Sequence, residues 1–155
     1  MKHKKLIALV VGFIAVTLFV LWTISFSRNM SLSTIIIGKI PLRVEVAQSP
    51  NALEKGLGGR DSIGSDGMLF ILPQKSIPTF WMKDMKFPLD FIWIDGDKVV
   101  DITEGVLAPR ASELESVLPR YSPKFLTTHV LEIPAGSTKK YGIQIGDSVT
   151  LRLKI

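Results

Sequence analysis

Apolar and polar residues alternate most cleanly near the two ends of the region that follows residue 34. Positions 40–47 set Leu42, Val44 and Val46 on one face and Arg43 and Glu45 on the other. Positions 147–155 repeat the pattern, with Val149, Leu151, Leu153 and Ile155 against Thr150, Arg152 and Lys154. A period of two is the mark of a half-buried strand. The two outer strands of the domain are expected to pair, with Glu45 near Arg152 or Lys154. Shorter apolar runs at 35–37, 67–72, 98–103 and 130–133 read as further strands, the second closed by Pro73. Gly38-Lys39 and Gly96-Asp97 supply turns between strands. Ser49-Pro50 is an N-cap followed by proline at the first helical position, opening a helix that ends at Gly56. Positions 136–141, closed by Gly142, and 111–117 read as further short helical pieces.

Positions 80–95, F-W-M-K-D-M-K-F-P-L-D-F-I-W-I-D, behave differently. Pro88 and the polar 83–86 region divide the run into a predicted strand at 79–84, a bend, and a strand at 89–95. In the second of these, Leu89, Phe91 and Trp93 point one way and Asp90, Ile92 and Ile94 the other. Both faces are apolar, so the strand is expected to be buried on both sides. Asp90 then sits among isoleucines. Removing its water without replacement costs several kcal/mol, so Arg60 or Lys83 is expected to answer it.

Seven or eight short strands with two or three brief helices make a mainly-β single domain, a β-sandwich or partly closed barrel, over 35–155. Ahead of it, positions 1–5 form a basic head and 27–34 a linker. Between them, positions 6–26 hold 21 residues without a charge, enough for a helix to cross a ~30 Å hydrocarbon core. One N-terminal transmembrane helix is therefore expected, with Trp22 at the outer interface and the basic head in the cytoplasm. The domain would then stand outside the cell membrane on a single-pass anchor. The rival is a cleaved signal peptide, for which Ser25-Phe26-Ser27 is a weak cleavage site and the domain a secreted one.

Charge agrees with this topology. The net charge is +5, but Lys2, Lys4, Lys5 and Arg28 precede the first acid, Glu45. From Lys39 onward 15 basic residues meet 14 acidic ones, so the basic balance reflects a membrane flank and no nucleic-acid partner is expected. The chain has no cysteine, which excludes disulfides, thiolate nucleophiles and thiolate metal sites.

Five motifs occur in order: Gly67-Met68-Leu69-Phe70, Phe80-Trp81-Met82-Lys83, Pro88-Leu89-Asp90, Val130 through Gly136, and Gly142 through Asp147. Together, over about 40–155, they resemble the DUF192 family of prokaryotic proteins, a domain of unknown function. The resemblance implies a β-sandwich-like fold and no established activity. Arg60 falls where the family carries arginine, while Gly58 departs from a position that commonly holds a bulkier residue.

Chemistry is sparse. No G-x-S-x-G stretch is present. His129, the only histidine of the domain, stands just before an apolar strand, where a structural or surface role is the usual one. Met68, Met82 and Met85 resemble soft copper ligands on paper, but methionines among aromatics are more simply core. Asp90, Asp95, Asp97 and Asp101 lack calcium-loop spacing. The Gly56–Asp61 stretch, G-L-G-G-R-D, is a turn rather than a dinucleotide fingerprint. No metal or cofactor is implied.

The remaining polar set is Arg60, Lys83, Asp90 and Glu132. It reads either as a buried network fixing the core, or as a pocket. In the pocket, Phe80 and Trp81 form an apolar wall and Lys83 or Arg60 holds an anionic or polyhydroxyl ligand. The first expectation is a non-enzymatic module binding a small molecule or a cell-envelope partner. The second is an envelope hydrolase or glycan-processing enzyme using Asp90 and Glu132. The third is a purely structural or assembly module.

Overall fold

The computed structural model describes Thr17, residues 32–110 and residues 113–154. Among the described residues no helix is long and apolar enough to cross a membrane. The expected anchor at 6–26, Thr17 apart, lies outside them.

Residues from Leu32 onward form one compact unit. Its strands are β1 (Ser33–Ile37), β2 (Ile40–Ala47), β3 (Gly67–Ser76), β4 (Leu89–Asp95), β5 (Lys98–Val106), β6 (Thr127–Pro134) and β7 (Val149–Arg152). Helix α1 (Pro50–Lys55) joins β2 to β3, and α2 (Ser137–Tyr141) follows β6. The strands make one sheet in the order β5-β4-β6-β3-β2-β1-β7. Only β2 and β3 run parallel, and α1 provides the crossover that parallel strands need. The Ser49 hydroxyl caps α1 by accepting from the Ala52 N–H at 3.3 Å.

The sheet curls until its outer strands meet. Lys98 on β5 bridges Ser148, just before β7, and the Val149 N–H donates to the Asp97 carbonyl at 2.7 Å. Of the two expected architectures, the structure takes the partly closed barrel. The last strand pairs with β1, Ile35 facing Leu151, and not with β2, the strand that carries Glu45 and is expected beside it. Glu45 keeps the outer face that the alternation gives it, opposite Met68, but β1 stands between it and β7. It is 7% exposed and binds Arg60 rather than Arg152 or Lys154.

Curling gives the sheet two unlike faces. The inner one is aliphatic: Ile35, Leu42, Val44, Leu69, Ile92, Ile94, Leu131 and Ile133 share a cluster. The outer one is aromatic and sulfur-rich, built on Met68, Phe70, Phe91, Trp93, Met82 and Met85. Strand β4 feeds both, and every residue from Leu89 to Ile94 is buried, as its two-sided apolar pattern requires.

Three further expectations need correction. Positions 79–84 form no strand. Phe80 makes a single antiparallel bridge to Tyr121, and the chain then turns, the Met85 N–H donating to the Met82 carbonyl at 3.1 Å with Asp84 at φ 56°. A strand would put Met82 and Met85 on opposite faces; the turn sends both into the aromatic cluster. The helix expected over 111–117 is one 3-10 turn, Glu115–Val117. Strand β3 runs past Pro73 to Ser76, but its pairing with β6 breaks between Ile71 and Ser76, where proline has no N–H to give the ladder.

Candidate functional site

Asp90 and Glu132 occupy adjacent strands and point apart. Asp90 lies opposite Ile133 of the aliphatic cluster. Glu132 lies opposite Phe91 on one side and Met68 on the other, so it points to the aromatic face. The two carboxyl groups therefore do not converge on one cleft.

Asp90 is 0% exposed, yet among the described residues no cation pairs with it. The ladder between β4 and β5 pairs Leu89 with Val106 and Phe91 with Thr103, which leaves Glu104 and Gly105 together opposite Asp90. This bulge, with Gly105 at φ 65°, frees a main-chain N–H from the ladder, and the Gly105 N–H donates to Asp90 Oδ1 at 2.8 Å. The Thr138 N–H donates to Oδ2 at 3.0 Å, and the Thr138 hydroxyl, 2.7 Å from Oδ2 and 2.8 Å from Glu104 Oε1, is shared between the two carboxyl groups. Three donors thus satisfy the group, and the expected partners are engaged elsewhere. Arg60 Nη1 lies 2.8 Å from Glu45 Oε1, and Lys83 Nζ lies 2.9 Å from Glu115 Oε2.

Glu132 is the opposite case. It is 5% exposed, and among the described residues its carboxyl has no hydrogen-bond or ion-pair partner. Burial alone pushes that carboxyl up to about 8, so it keeps its proton at neutral pH. Among the described residues no sealed side-chain polar atom lacks a partner. The Glu132 carboxyl must therefore reach open space, and it lines an open cleft of about 1190 Å³.

Leu57, Phe70 and Met85 share this cleft with Glu132, Phe80 and Trp81 stand along it, and Glu115 and Leu118 bound it from the long connection after β5. Phe80 is fixed edge-on by Phe70 and Trp93, at ring-centre distances of 5.1 and 5.6 Å. Trp81 carries the Arg120 guanidinium 3.6 Å above its ring centre. The Gly56–Gly59 turn docks on the 82–85 turn through the Gly59 N–H, 2.8 Å from the Asp84 carbonyl. At Gly56 a Cβ would come within 3.2 Å of the Phe70 ring, and at Gly67 within 2.6 Å of the Glu132 carbonyl. Both glycines let backbone close on the cleft floor. The Glu115 carboxylate bonded to Lys83 holds that ammonium above its ordinary range.

Of the six singled-out residues, Phe80, Trp81, Lys83 and Glu132 meet in the cleft. Arg60 belongs to the Glu45 pair and Asp90 to the barrel interior. The pattern missed Arg120 and Glu115; the only signal for them was the length of the connection that carries them, which itself invites function. His129 is half-buried with its Nδ1 2.8 Å from the Thr128 hydroxyl, and burial draws its imidazole below the ordinary range. Met68, Met82 and Met85 pack in the aromatic cluster. Asp95 pairs with Lys75, and Asp101 accepts from the Ile102 and Lys124 N–H groups. No group of three or more His, Cys, Asp or Glu able to hold a metal ion occurs among the described residues.

The model of DUF192, described as uncharacterized ACR, matches residues 34–151. The chain belongs to the DUF192 family. No curated protein matches it. Among solved structures, a DUF192 chain of this kind is similar to a "putative transcription regulator" from Sinorhizobium meliloti 1021, with 24% identity, TM-score 0.69, and coverage of 79% of this chain and 95% of that one. It is also similar to a protein of unknown function from Novosphingobium aromaticivorans DSM 12444, with 27% identity, TM-score 0.67, and coverage of 77% and 84%. The first likeness, below a quarter identity, speaks for the DUF192 fold alone.

Proposed function

We propose that the protein is a non-enzymatic binding module held outside the cell membrane by its N-terminal apolar segment, and that it takes a small molecule or cell-envelope ligand in the cleft over Glu132. The observation that carries this reading is the unpartnered, buried acid on an open cleft floor. A carboxyl that keeps only a narrow opening to the cleft and no protein partner has lost most of its hydration, which costs stability. Such groups are otherwise satisfied throughout the described residues. Site chemistry tolerates that cost because a ligand supplies the missing partner. The apolar walls and pre-set Phe80 ring suit a ligand with a hydrophobic face. The charge-free run at 6–26 after a basic head supports the location.

Two measurements test the reading. A crystallographic soak with mixed small fragments is expected to place binders in the cleft within hydrogen-bond reach of Glu132; an empty cleft across the set, with binders elsewhere, defeats it. Protease added outside spheroplasts is expected to digest the domain, and a protected domain would defeat the location.

A further inference from the structure

We infer that the cleft, read as above as a ligand site, takes an uncharged polyhydroxyl ring whose hydroxyl or carbonyl oxygen pairs with Glu132, and that it turns away the same ring carrying a full charge at that point. The inference rests on the proposed binding role and narrows it to a ligand class.

Three observations lead there. The first is the floor. Glu132 lies between Met68 and Phe91 in the ladder and shares the cleft with Leu57, Phe70 and Met85. An anion brought to this floor meets an acid and no free base. A cation brought there requires the acid to ionise among apolar side chains, and burial already holds its proton up to about 8. A neutral hydroxyl or carbonyl asks for neither, and a protonated carboxyl both donates to it and accepts from it.

The second is the rim. Apart from Glu132, acidic and basic side chains along the cleft are equal in number, four of each, so the rim steers neither sign of ligand. Two of its bases are already spent, Lys83 on Glu115 and Lys86 on Asp61 at 2.7 Å. The other two, Lys55 and Arg110, are exposed on the rim, and neither Lys83 nor Arg60 is free for the anion-binding role expected of it.

The third is the wall. Phe80 is half-buried, and Phe70, Phe91 and Trp93 hold its ring at centre distances of 5.1, 6.0 and 5.6 Å. A ring fixed before binding is a pre-organised platform. The C–H face of a polyhydroxyl ring packs on such a platform while its hydroxyl edge stays polar.

Three phenyl glycosides test the inference: phenyl glucoside is uncharged, phenyl glucuronide carries a carboxylate in place of its C6 hydroxymethyl group, and phenyl glucosaminide carries, at pH 6, an ammonium in place of its C2 hydroxyl. The full-length protein in detergent micelles, with 13C in its glutamate carboxyl groups, is titrated with each. The Glu132 resonance is identified by its loss in Glu132→Gln. The glucoside is expected to move that resonance and to bind at least about tenfold more tightly than either charged analogue. Glu132→Gln, whose amide still donates and accepts, keeps glucoside affinity within about threefold. Glu132→Leu lowers it by about tenfold. Tighter binding of the glucuronide or the glucosaminide overturns the inference and leaves the cleft a ligand site. Unchanged glucoside affinity in Glu132→Leu also overturns it. If none of the three moves the Glu132 resonance, the inference falls, and the fragment soak decides the binding role separately.

Discussion

Asp90 and Glu132 are two acids in the interior of one sheet, on neighbouring strands, nearly equal in exposure at 0% and 5%. They differ in what surrounds them. Asp90 faces the aliphatic interior and receives three hydrogen bonds, two from main-chain N–H groups and one from a hydroxyl shared with Glu104. Glu132 faces the aromatic side and receives none among the described residues. Burial alone therefore does not separate a structural acid from a candidate ligand site. The count of donors does. A satisfied acid locks the bulge of β5 and α2 onto β4, whereas an unsatisfied one is a cost the fold carries at an open cleft.

Substitutions at the two acids should differ in sign. Replacing Asp90 with Ala strands the buried Thr138 N–H and releases the Gly105 N–H, while the Thr138 hydroxyl keeps Glu104 as acceptor; the expected cost is about 2–3 kcal/mol in urea unfolding. A variant as stable as the wild type would remove the distinction. Glu132→Gln is expected to stabilise. The native carboxyl holds its proton up to about 8, while its ordinary value is 4.5. Between those values the native state binds more protons than the unfolded chain, so wild-type stability falls as pH rises through that window and levels off above it. Glu132→Gln removes the slope, with no gain below pH 4.5 and about 3 kcal/mol by pH 7. Parallel pH profiles for the two proteins would refute the unpartnered state of Glu132.

Smaller effects sharpen the contrast. Glu45 is 7% exposed and depends on one ion pair, so Arg60→Ala turns a satisfied acid into an unsatisfied one. The expected cost is about 2 kcal/mol, discounted because Arg60 is partly exposed. Lys83→Ala breaks a pair whose members are 42% and 53% exposed. Its effect on unfolding is expected to be too small to resolve in a urea melt, and a measurable loss would mean the pair braces the cleft.

Much of this was legible in the residue pattern, for reasons the structure makes plain. Strand β4 begins and ends where its two-sided apolar run predicts, because burial on both faces leaves little freedom of register. Both hairpin turns and the Ser49 cap were readable from local chemistry. So was the burial of Asp90. Its partners were not, because they are a backbone N–H released by a bulge and a threonine 48 residues along the chain, and neither leaves a charge in the pattern. Alternation at 79–84 misled because turn geometry also buries Met82 and Met85. Glu132 stood out as a member of the set, but its isolation depends on which face of β6 it takes, and that becomes visible only once β3, β4 and β6 are in register.

The placement of β1 between β2 and β7 has a consequence for how the molecule is made. Ile35, near the start of the folded unit, gains its second neighbour only from Leu151, near the end. Long-range pairings of this kind are slow to form. A chain stopped short of residue 149 has no β7, so β1 lacks that neighbour and β5 lacks the Ser148 closure. The barrel closes only once residues 148–152 are free to pair.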